Sequence, residues 1–247
     1  VLAVDAFRQA GAGEWVERLL AGDVRACVAW NVSHPVAYAP SSAVAVVCGL
    51  DSLFAVELPA PAEREPAMDL TRELGWLDVD GLPRIDLGDA RARDHLLDRG
   101  ATFTAADLLG GANRALDMAV QYAKDRVQFG RPIGSFQAVK HRCADMLVDV
   151  EGMRSTVYWA AWCIGAGDSD AAVAASTAKI WCSDASKRVM ASALQVHGGI
   201  GFTWEHDLHF FLKRAQLDQL AFGDASFHRA RLTAQLRLRV EAGESIV

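Results

Sequence analysis

A short stretch near the middle of the chain concentrates side chains that could bind an anionic, aromatic ligand. From Arg126 to His141 the sequence reads RVQFGRPIGSFQAVKH. It combines the cation of Arg126 and the amide of Gln128 with the rings of Phe129 and Phe136, around a glycine-proline turn. A guanidinium and the free N–H groups that begin a helix both suit an anion. Each residue alone could equally cap a helix or pack the turn onto a core, so both interpretations stay open.

A second candidate segment reads QVHGGIGF and begins at Gln195. Glycines without Cβ atoms, such as Gly198 and Gly199, let the backbone approach a phosphate closely, and a helix-loop-helix turn exposes N–H donors. The glycine pair is also an ordinary way to end a helix. Similarly, His197 could be either a ligand-binding or a packing histidine.

The spacing of apolar residues places both segments at the ends of long helices. Apolar side chains recur every three or four positions downstream of residue 100, where Pro132 is the only proline. This pattern predicts helices over 104–126, 135–165, 168–196, 204–222 and 224–240. Helices of this length joined by short turns should pack as an antiparallel bundle.

The first hundred residues have a different character. They hold six of the seven prolines and several short runs typical of strands. We expect strands over 24–30, 43–48 and 53–58, a helix over 13–21, and further strand and loop over 70–87. The predicted fold class is therefore α+β, with a reduced, mostly β domain over 1–100 followed by a C-terminal helical bundle over 101–247.

Composition argues against several classes of partner. The formal net charge of -6 is spread along the chain, so no basic surface for nucleic acid or for a membrane is expected. The five cysteines are odd in number and far apart, which argues against disulfides or a zinc site and favours a cytoplasmic protein. No metal site is expected either, because no glutamate of the bundle has a histidine three residues later.

Both segments resemble known cofactor-binding sequences. The pattern RxQFGxPIxxFQAVKH strongly resembles the FAD-contacting turn of the acyl-CoA dehydrogenase family, and the Gln195 segment is similar to that family's glutamine-glycine-glycine segment. The resemblance implies that these segments hold the ADP half of a flavin belonging to a neighbouring subunit. It assigns to FAD binding Arg126, Gln128, Phe129, Phe136, Gln195, His197, Gly198 and Gly199.

The position of the catalytic base departs from the family pattern. Many members carry a glutamate just before the glycine of the last turn, where this chain has Phe222 before Gly223. A phenylalanine cannot accept a proton. Asp107 resembles the glutamate that some relatives carry early in the first C-terminal helix, and it is the candidate catalytic residue within this chain. The alternative is that Asp107 caps that helix, because Thr104 to Asp107 has capping-box spacing.

The first hundred residues depart from the family as well. The family's Thr-Glu-rich loop, which packs on the flavin ring, is replaced here by the stretch from Val28 to Pro35, and the family's N-terminal helical domain is almost absent. With these departures, the chain resembles one subunit of an actinobacterial, steroid-type heteromeric acyl-CoA dehydrogenase. The resemblance implies an α2β2 heterotetramer with a homologous subunit.

The expected function is that of an FAD-dependent oxidoreductase subunit. The resemblance implies α,β-dehydrogenation of an acyl-CoA thioester, with a steroid or another bulky acyl group as the substrate, and with either Asp107 or the partner supplying the base. One alternative is a non-catalytic subunit that stabilises a catalytic partner. Another is a homomeric enzyme with an unusual base.

Overall fold

A computed structural model describes residues 1–243 of the chain. Its contacts separate two compact units, one from Val1 to Gly100 and the other from Ala101 onward. The first unit contains short strands, and the second is helical. The predicted α+β class, a β region followed by a helical bundle, is confirmed.

A four-stranded sheet forms the centre of the first unit, in the order β1-β3-β4-β7. Strand β1 is parallel to β3, and the other neighbouring pairs are antiparallel. Three shorter strands form a second sheet in the order β2-β6-β5. The bounds of the strands are β1 Ala26–Ala29, β2 Val36–Ala37, β3 Val44–Cys48, β4 Ser52–Glu57, β5 Arg64–Glu65, β6 Leu74–Gly75 and β7 Arg84–Asp89.

The main sheet is buried on both faces, which explains why its central strands are almost uniformly apolar. One face packs with helices α1 (Leu2–Gln9) and α2 (Gly13–Ala21), and the core there includes Phe7 and Val46. A separate core cluster, which includes Phe54, lies on the other face. Helix α2 lies where the sequence predicted it, whereas α1 was not predicted.

Helix α3 runs from Ala90 to Asp125 and begins fourteen residues before its predicted start. Its first turn is capped by Asp89, whose Oδ1 accepts hydrogen bonds from the N–H groups of Arg91 (2.9 Å) and Ala92 (3.3 Å). The many charges of this turn and Gly100 conceal its periodicity in the sequence. Because α3 begins so early, Asp107 lies in the helix interior, and the capping interpretation of Asp107 is wrong.

The second unit is a bundle built around α5. This helix contacts α4, α6 and α7, and it is buried along most of its length. Small residues allow close approach: a Cβ atom added to Gly152 of α4 would lie 2.6 Å from Nε1 of Trp181 in α5. The bounds are α4 Gln137–Ala166, α5 Ala171–His197, α6 Leu208–Asp218 and α7 Ala225–Glu241.

The observed α6 is shorter than the predicted helix over 204–222. A 3₁₀ helix, Gly198–Phe202, follows α5, and irregular chain precedes and follows α6. None of the helices within residues 1–243 has the length and apolar character that a membrane span needs.

Candidate functional site

The segment after α3 folds as a small hairpin with an exposed tip. Strands β8 (Val127–Gln128) and β9 (Arg131–Pro132) pair in antiparallel register. Phe129 and Gly130 form the turn, and both have positive φ, 53° and 78°. Two-residue hairpins favour this backbone, although a phenylalanine rarely adopts it. The turn leaves the Phe129 ring 91% exposed.

Contacts within the segment fix the hairpin's shape. The Phe129 ring meets the Phe136 ring edge to face, with centroids 6.1 Å apart, and the Arg131 guanidinium lies 4.1 Å from the Phe136 centroid. The N–H of Ile133 donates to the carbonyl of Arg126 at 2.8 Å. The hairpin is therefore ordered by its own residues, while its tip still faces solvent.

Arg126 follows the end of α3 with an exposed side chain. Within residues 1–243 its guanidinium forms neither a hydrogen bond nor an ion pair, whereas the Gln128 amide donates to the carbonyl of Val127 at 2.8 Å. The Arg126 N–H donates to the carbonyl of Tyr122 at 2.9 Å, which fixes the backbone from which the guanidinium extends. The cation is thus positioned by its backbone and available to an anion.

The second segment forms an open turn at the end of α5. Gly198 has φ 62° and ψ −142°, a conformation that glycine adopts readily. A Cβ atom added at Gly198 or Gly199 would meet no atom within 4 Å, and the side chain of Gln195 is exposed. Backbone groups of this turn are therefore accessible to a ligand.

His197 belongs to the second segment and is only 3% exposed. Its ring stacks on Tyr122 of α3, with centroids 4.8 Å apart, and contacts the ring of His206 at 4.5 Å. Its Nδ1 donates to the carbonyl of Ala193 at 2.8 Å, and burial lowers the pKa of the imidazole below its ordinary value. The contact with Tyr122 brings the ends of α3 and α5 together, and with them both candidate segments.

Asp107 is on the exposed side of α3. Its carboxylate is 43% exposed and lies 3.4 Å from Nη1 of Arg214 in α6. Burial that raises the pKa of the carboxyl group is typical of a working base. In this chain Asp107 is instead a partly solvated, ion-paired acid.

Phe222 lies in a short segment between α6 and α7 and has a positive φ of 54°. Its carbonyl accepts a hydrogen bond from Nε2 of His228 at 2.8 Å, and Nδ1 of that ring contacts Oγ of Ser176 at 3.3 Å. His228 is fully buried, and burial lowers its pKa to about 4. A buried side chain thus fixes the backbone at the position where many relatives carry a glutamate.

Lys179 of α5 holds the start of the same segment. Its Nζ donates to the carbonyls of Asp218 (3.1 Å) and Gln219 (2.9 Å), and burial lowers its pKa to about 8. Sequence reasoning did not select Lys179, His228 or Ser176. The signal available was a lysine and serines at apolar positions of an alanine-rich helix.

Comparison with known families identifies the helical region. The family model of the acyl-CoA dehydrogenase C-terminal domain matches residues 90–236, from the first residue of α3 into α7. The chain belongs to the acyl-CoA dehydrogenase family. The resemblance inferred from the two motifs is confirmed.

Individual relatives lie within the same family. The acyl-CoA dehydrogenase IpdE2 of Mycolicibacterium smegmatis is 41% identical over 178 residues, which are 71% of this chain and 53% of that protein. The chain therefore spans about half the length of this curated relative.

Two solved structures are similar over nearly the whole chain. A variant of the Tcur3481-Tcur3483 steroid ACAD has a TM-score of 0.85 at 26% sequence identity. The match covers 97% of this chain and 75% of the chain in that structure. The ChsE4-ChsE5 complex from Mycobacterium tuberculosis has a TM-score of 0.82 at 28% identity, covering 96% and 74%. Both support the actinobacterial, steroid-type resemblance.

The residues of both segments fit the ADP half of FAD, the cofactor that the motifs imply. Arg126 offers a cation without an ion pair in the described part of the chain, and Gly198 and Gly199 offer open backbone. The exposed ring of Phe129 offers an aromatic surface. A cation and open backbone N–H groups can bind a pyrophosphate, and an aromatic ring can pack on an adenine.

Proposed function

We propose that this chain is a subunit of an FAD-dependent acyl-CoA dehydrogenase and that the end of its bundle holds the ADP half of a flavin shared with a homologous partner subunit. Residues 1–100 form a reduced β domain in this proposal, and residues from 101 onward form the cofactor-holding domain. The reaction is the α,β-dehydrogenation of an acyl-CoA thioester. FAD supplies the hydride acceptor when it is bound.

One observation carries the proposal: the cofactor-type groups of two distant segments lie at connected helix ends and face solvent. The contact between Tyr122 and His197 joins these ends, and no residue within 1–243 neutralises the Arg126 guanidinium. An unpaired arginine beside accessible backbone favours an anionic ligand. Gln128, Phe136 and Gln195 complete the proposed binding surface.

This chain offers fewer candidate residues for proton abstraction than for cofactor binding. Phe222 has no proton acceptor in its side chain, so Asp107 is the in-chain candidate to remove the α-proton of the thioester. In this chain the Asp107 carboxylate is paired with Arg214 at 3.4 Å. If Asp107 is the base, binding of the partner or the substrate must separate this pair. Otherwise the partner supplies the base.

The relatives support a proposal for the substrate and for the assembly. IpdE2 is similar over most of this chain, and the two solved complexes include a steroid ACAD. We therefore propose a steroid or similarly bulky acyl-CoA as the substrate and an α2β2 heterotetramer as the assembly. The free cysteines are in keeping with a cytoplasmic protein.

The binding role is tested by co-expressing the chain with its homologous partner and measuring flavin absorbance in the purified complex. Arg126→Ala should remove most of that absorbance, because it deletes the proposed phosphate-binding cation. Lys124→Ala is the matched control, since Lys124 is an exposed cation in the last turn of α3. Full flavin content in the Arg126 variant would refute the proposal.

A second candidate function, a non-catalytic subunit that stabilises a catalytic partner, is favoured by Phe222 and by the ion pair of Asp107. Turnover by Asp107→Asn and Asp107→Ala complexes distinguishes the two functions for this residue. A catalytic Asp107 predicts a loss of about 100-fold or more in kcat in both variants. Unchanged turnover in both would place the base outside this residue.

A further inference from the structure

Three aromatic rings from three segments contact one another in a row, called the stack below: His197 stacks on Tyr122 with 29° between the ring planes, and it lies tilted at 58° against His206. Tyr122 belongs to α3, His197 ends α5, and His206 precedes α6. The centroid of the His197 ring lies 4.8 Å from that of Tyr122 and 4.5 Å from that of His206. His197 is therefore the middle ring of the stack.

This stack holds the glycine turn at both ends. Gly198–Phe202 begins directly after His197 and ends four residues before His206. The turn also packs closely against His197 itself. A Cβ atom added at Gly201 would lie only 3.1 Å from the Cβ atom of His197. The position of the His197 ring thus determines where the open backbone of Gly198 and Gly199 lies.

The same stack is linked to the hairpin. The carbonyl of Tyr122 accepts the N–H of Arg126 at 2.9 Å, and the carbonyl of Arg126 accepts the N–H of Ile133 at 2.8 Å. A shift of the Tyr122 ring therefore reaches the backbone that carries the unpaired guanidinium. The two cofactor-type segments are far apart in sequence, and this stack is a direct connection between them.

The hydrogen bonding of His197 identifies which ring nitrogen carries the proton. Nδ1 carries the proton, because the atom that it contacts, the carbonyl oxygen of Ala193 at 2.8 Å, can only accept. Nε2 is buried and has no hydrogen-bond partner within residues 1–243. A ring buried at this level contributes to the cofactor surface through its shape and stacking.

We propose that His197 is a positioning residue, whose ring packs between Tyr122 and His206 and fixes the spacing between the Arg126 hairpin and the Gly198 turn for the ADP half of FAD. This inference rests on the proposed function, and it replaces a direct contact of His197 with the cofactor by an indirect role. Positioning of this kind raises affinity because the ligand does not have to order the site when it binds.

The binding test uses the complex with its homologous partner after removal of flavin, and it measures the Kd for FAD and for ADP by calorimetry. His197→Leu, which loses the aromatic stack, should weaken both ligands about 10-fold. His197→Phe, which keeps an aromatic ring, should stay within about 3-fold of the unmodified complex. Equal losses in both variants would show that an imidazole nitrogen is required, and wild-type affinity in the Leu variant would show that the ring is not; either overturns the proposal.

His209→Leu is the matched control. His209 is likewise a buried histidine, but it packs on Trp204 and Phe210. Neither of its ring nitrogens has a hydrogen-bond partner in the described chain. Its loss should leave the affinity for ADP unchanged. If the His197→Leu complex does not fold, Tyr122→Leu and Tyr122→Phe test the same stack from the other side, with a 10-fold loss expected only for the Leu variant.

A ligand-independent measurement separates this inference from the proposed function. In the flavin-free complex, His197→Leu should speed amide hydrogen exchange both at 198–202 and at 126–131, and His197→Phe should restore slow exchange at both. Unchanged exchange at 126–131 in the Leu variant would overturn the coupling. A wild-type complex that binds neither ADP nor FAD would instead refute the proposed function, and the exchange result would still decide the coupling.

Discussion

The hairpin after α3 and the segment between α6 and α7 treat their polar groups in opposite ways. In the hairpin, the Arg126 cation and the Phe129 ring are exposed, and within the described residues the cation has no partner. In the α6–α7 segment, the buried His228 side chain donates to the carbonyl of Phe222. The buried Lys179 side chain donates to the carbonyls of Asp218 and Gln219, where α6 ends. The first region offers its groups to a ligand, while the second uses them to fix its own backbone.

This difference separates the two halves of the proposed chemistry. Residues for holding a cofactor remain outward and available, whereas the position of the usual base has become part of the internal structure of the bundle. Mutations in the α6–α7 segment should therefore act mainly on stability, and mutations at the hairpin tip mainly on ligand affinity. Three measurements test this contrast.

The largest effect concerns acid stability and His228. Its pKa is lowered to about 4 by burial, compared with about 6.5 in the unfolded chain. Since the unfolded state binds the proton more tightly, the free energy of unfolding should fall by about 3 kcal/mol as the pH drops from 6.5 to 4.

His228→Gln should remove this part of the pH dependence, because an amide can still donate to the carbonyl of Phe222 but does not titrate in this range. Chemical denaturation of the variant and the unmodified protein at several pH values measures the difference in slope. Identical slopes would mean that burial of His228 does not govern the acid response.

A smaller effect is expected at Lys179. Lys179→Met removes the donor to two carbonyls at the end of α6, and relief from burying a charge offsets part of that loss. We expect a net loss of about 2 kcal/mol in the free energy of unfolding at neutral pH. Lys213→Met is the control, because Lys213 lies over the exposed ring of Trp204 and should contribute below about 1 kcal/mol. Equal losses in the two variants would contradict the structural role of Lys179.

The smallest effect on stability is expected at Phe129. Because its ring is almost fully exposed, Phe129→Ala should change the free energy of unfolding by no more than about 0.5 kcal/mol. It should nevertheless weaken FAD binding to the complex by about 10-fold, through the loss of an aromatic contact. A large stability loss with unchanged affinity would reverse the assignment of the hairpin tip.

Local sequence signals account for much of the fold. Strands β3 and β4 lie close to the predicted strands over 43–48 and 53–58, and the N–H of Gly49 donates to the carbonyl of Ser52 at 2.9 Å in the turn between them. Helices α4, α5 and α7 follow their apolar periodicity. The start of α3 was missed because a single side chain, Asp89, ends a strand and caps the helix directly after it. No periodicity marks such a junction.

Some residues of the candidate site could be selected from the sequence, and others could be recognised only in the folded structure. The hairpin and glycine residues could be selected because their types and order resemble a known pattern. The burial of His197 could not be selected in this way, since it depends on Tyr122, seventy-five positions away in the chain. The role of Lys179 likewise depends on carbonyls about forty residues away, and only tertiary structure brings these groups together.

The proposed function depends above all on the ADP half of the flavin being bound by this chain. Photolabelling of the purified complex with an FAD analogue that carries an azide on its adenine tests this binding, with mass spectrometry to locate the label. We predict labelled peptides from 126–136 or 195–199 of this chain, with labelling suppressed by excess ADP. Label confined to the partner subunit, or to residues 1–100 of this chain, would contradict the account.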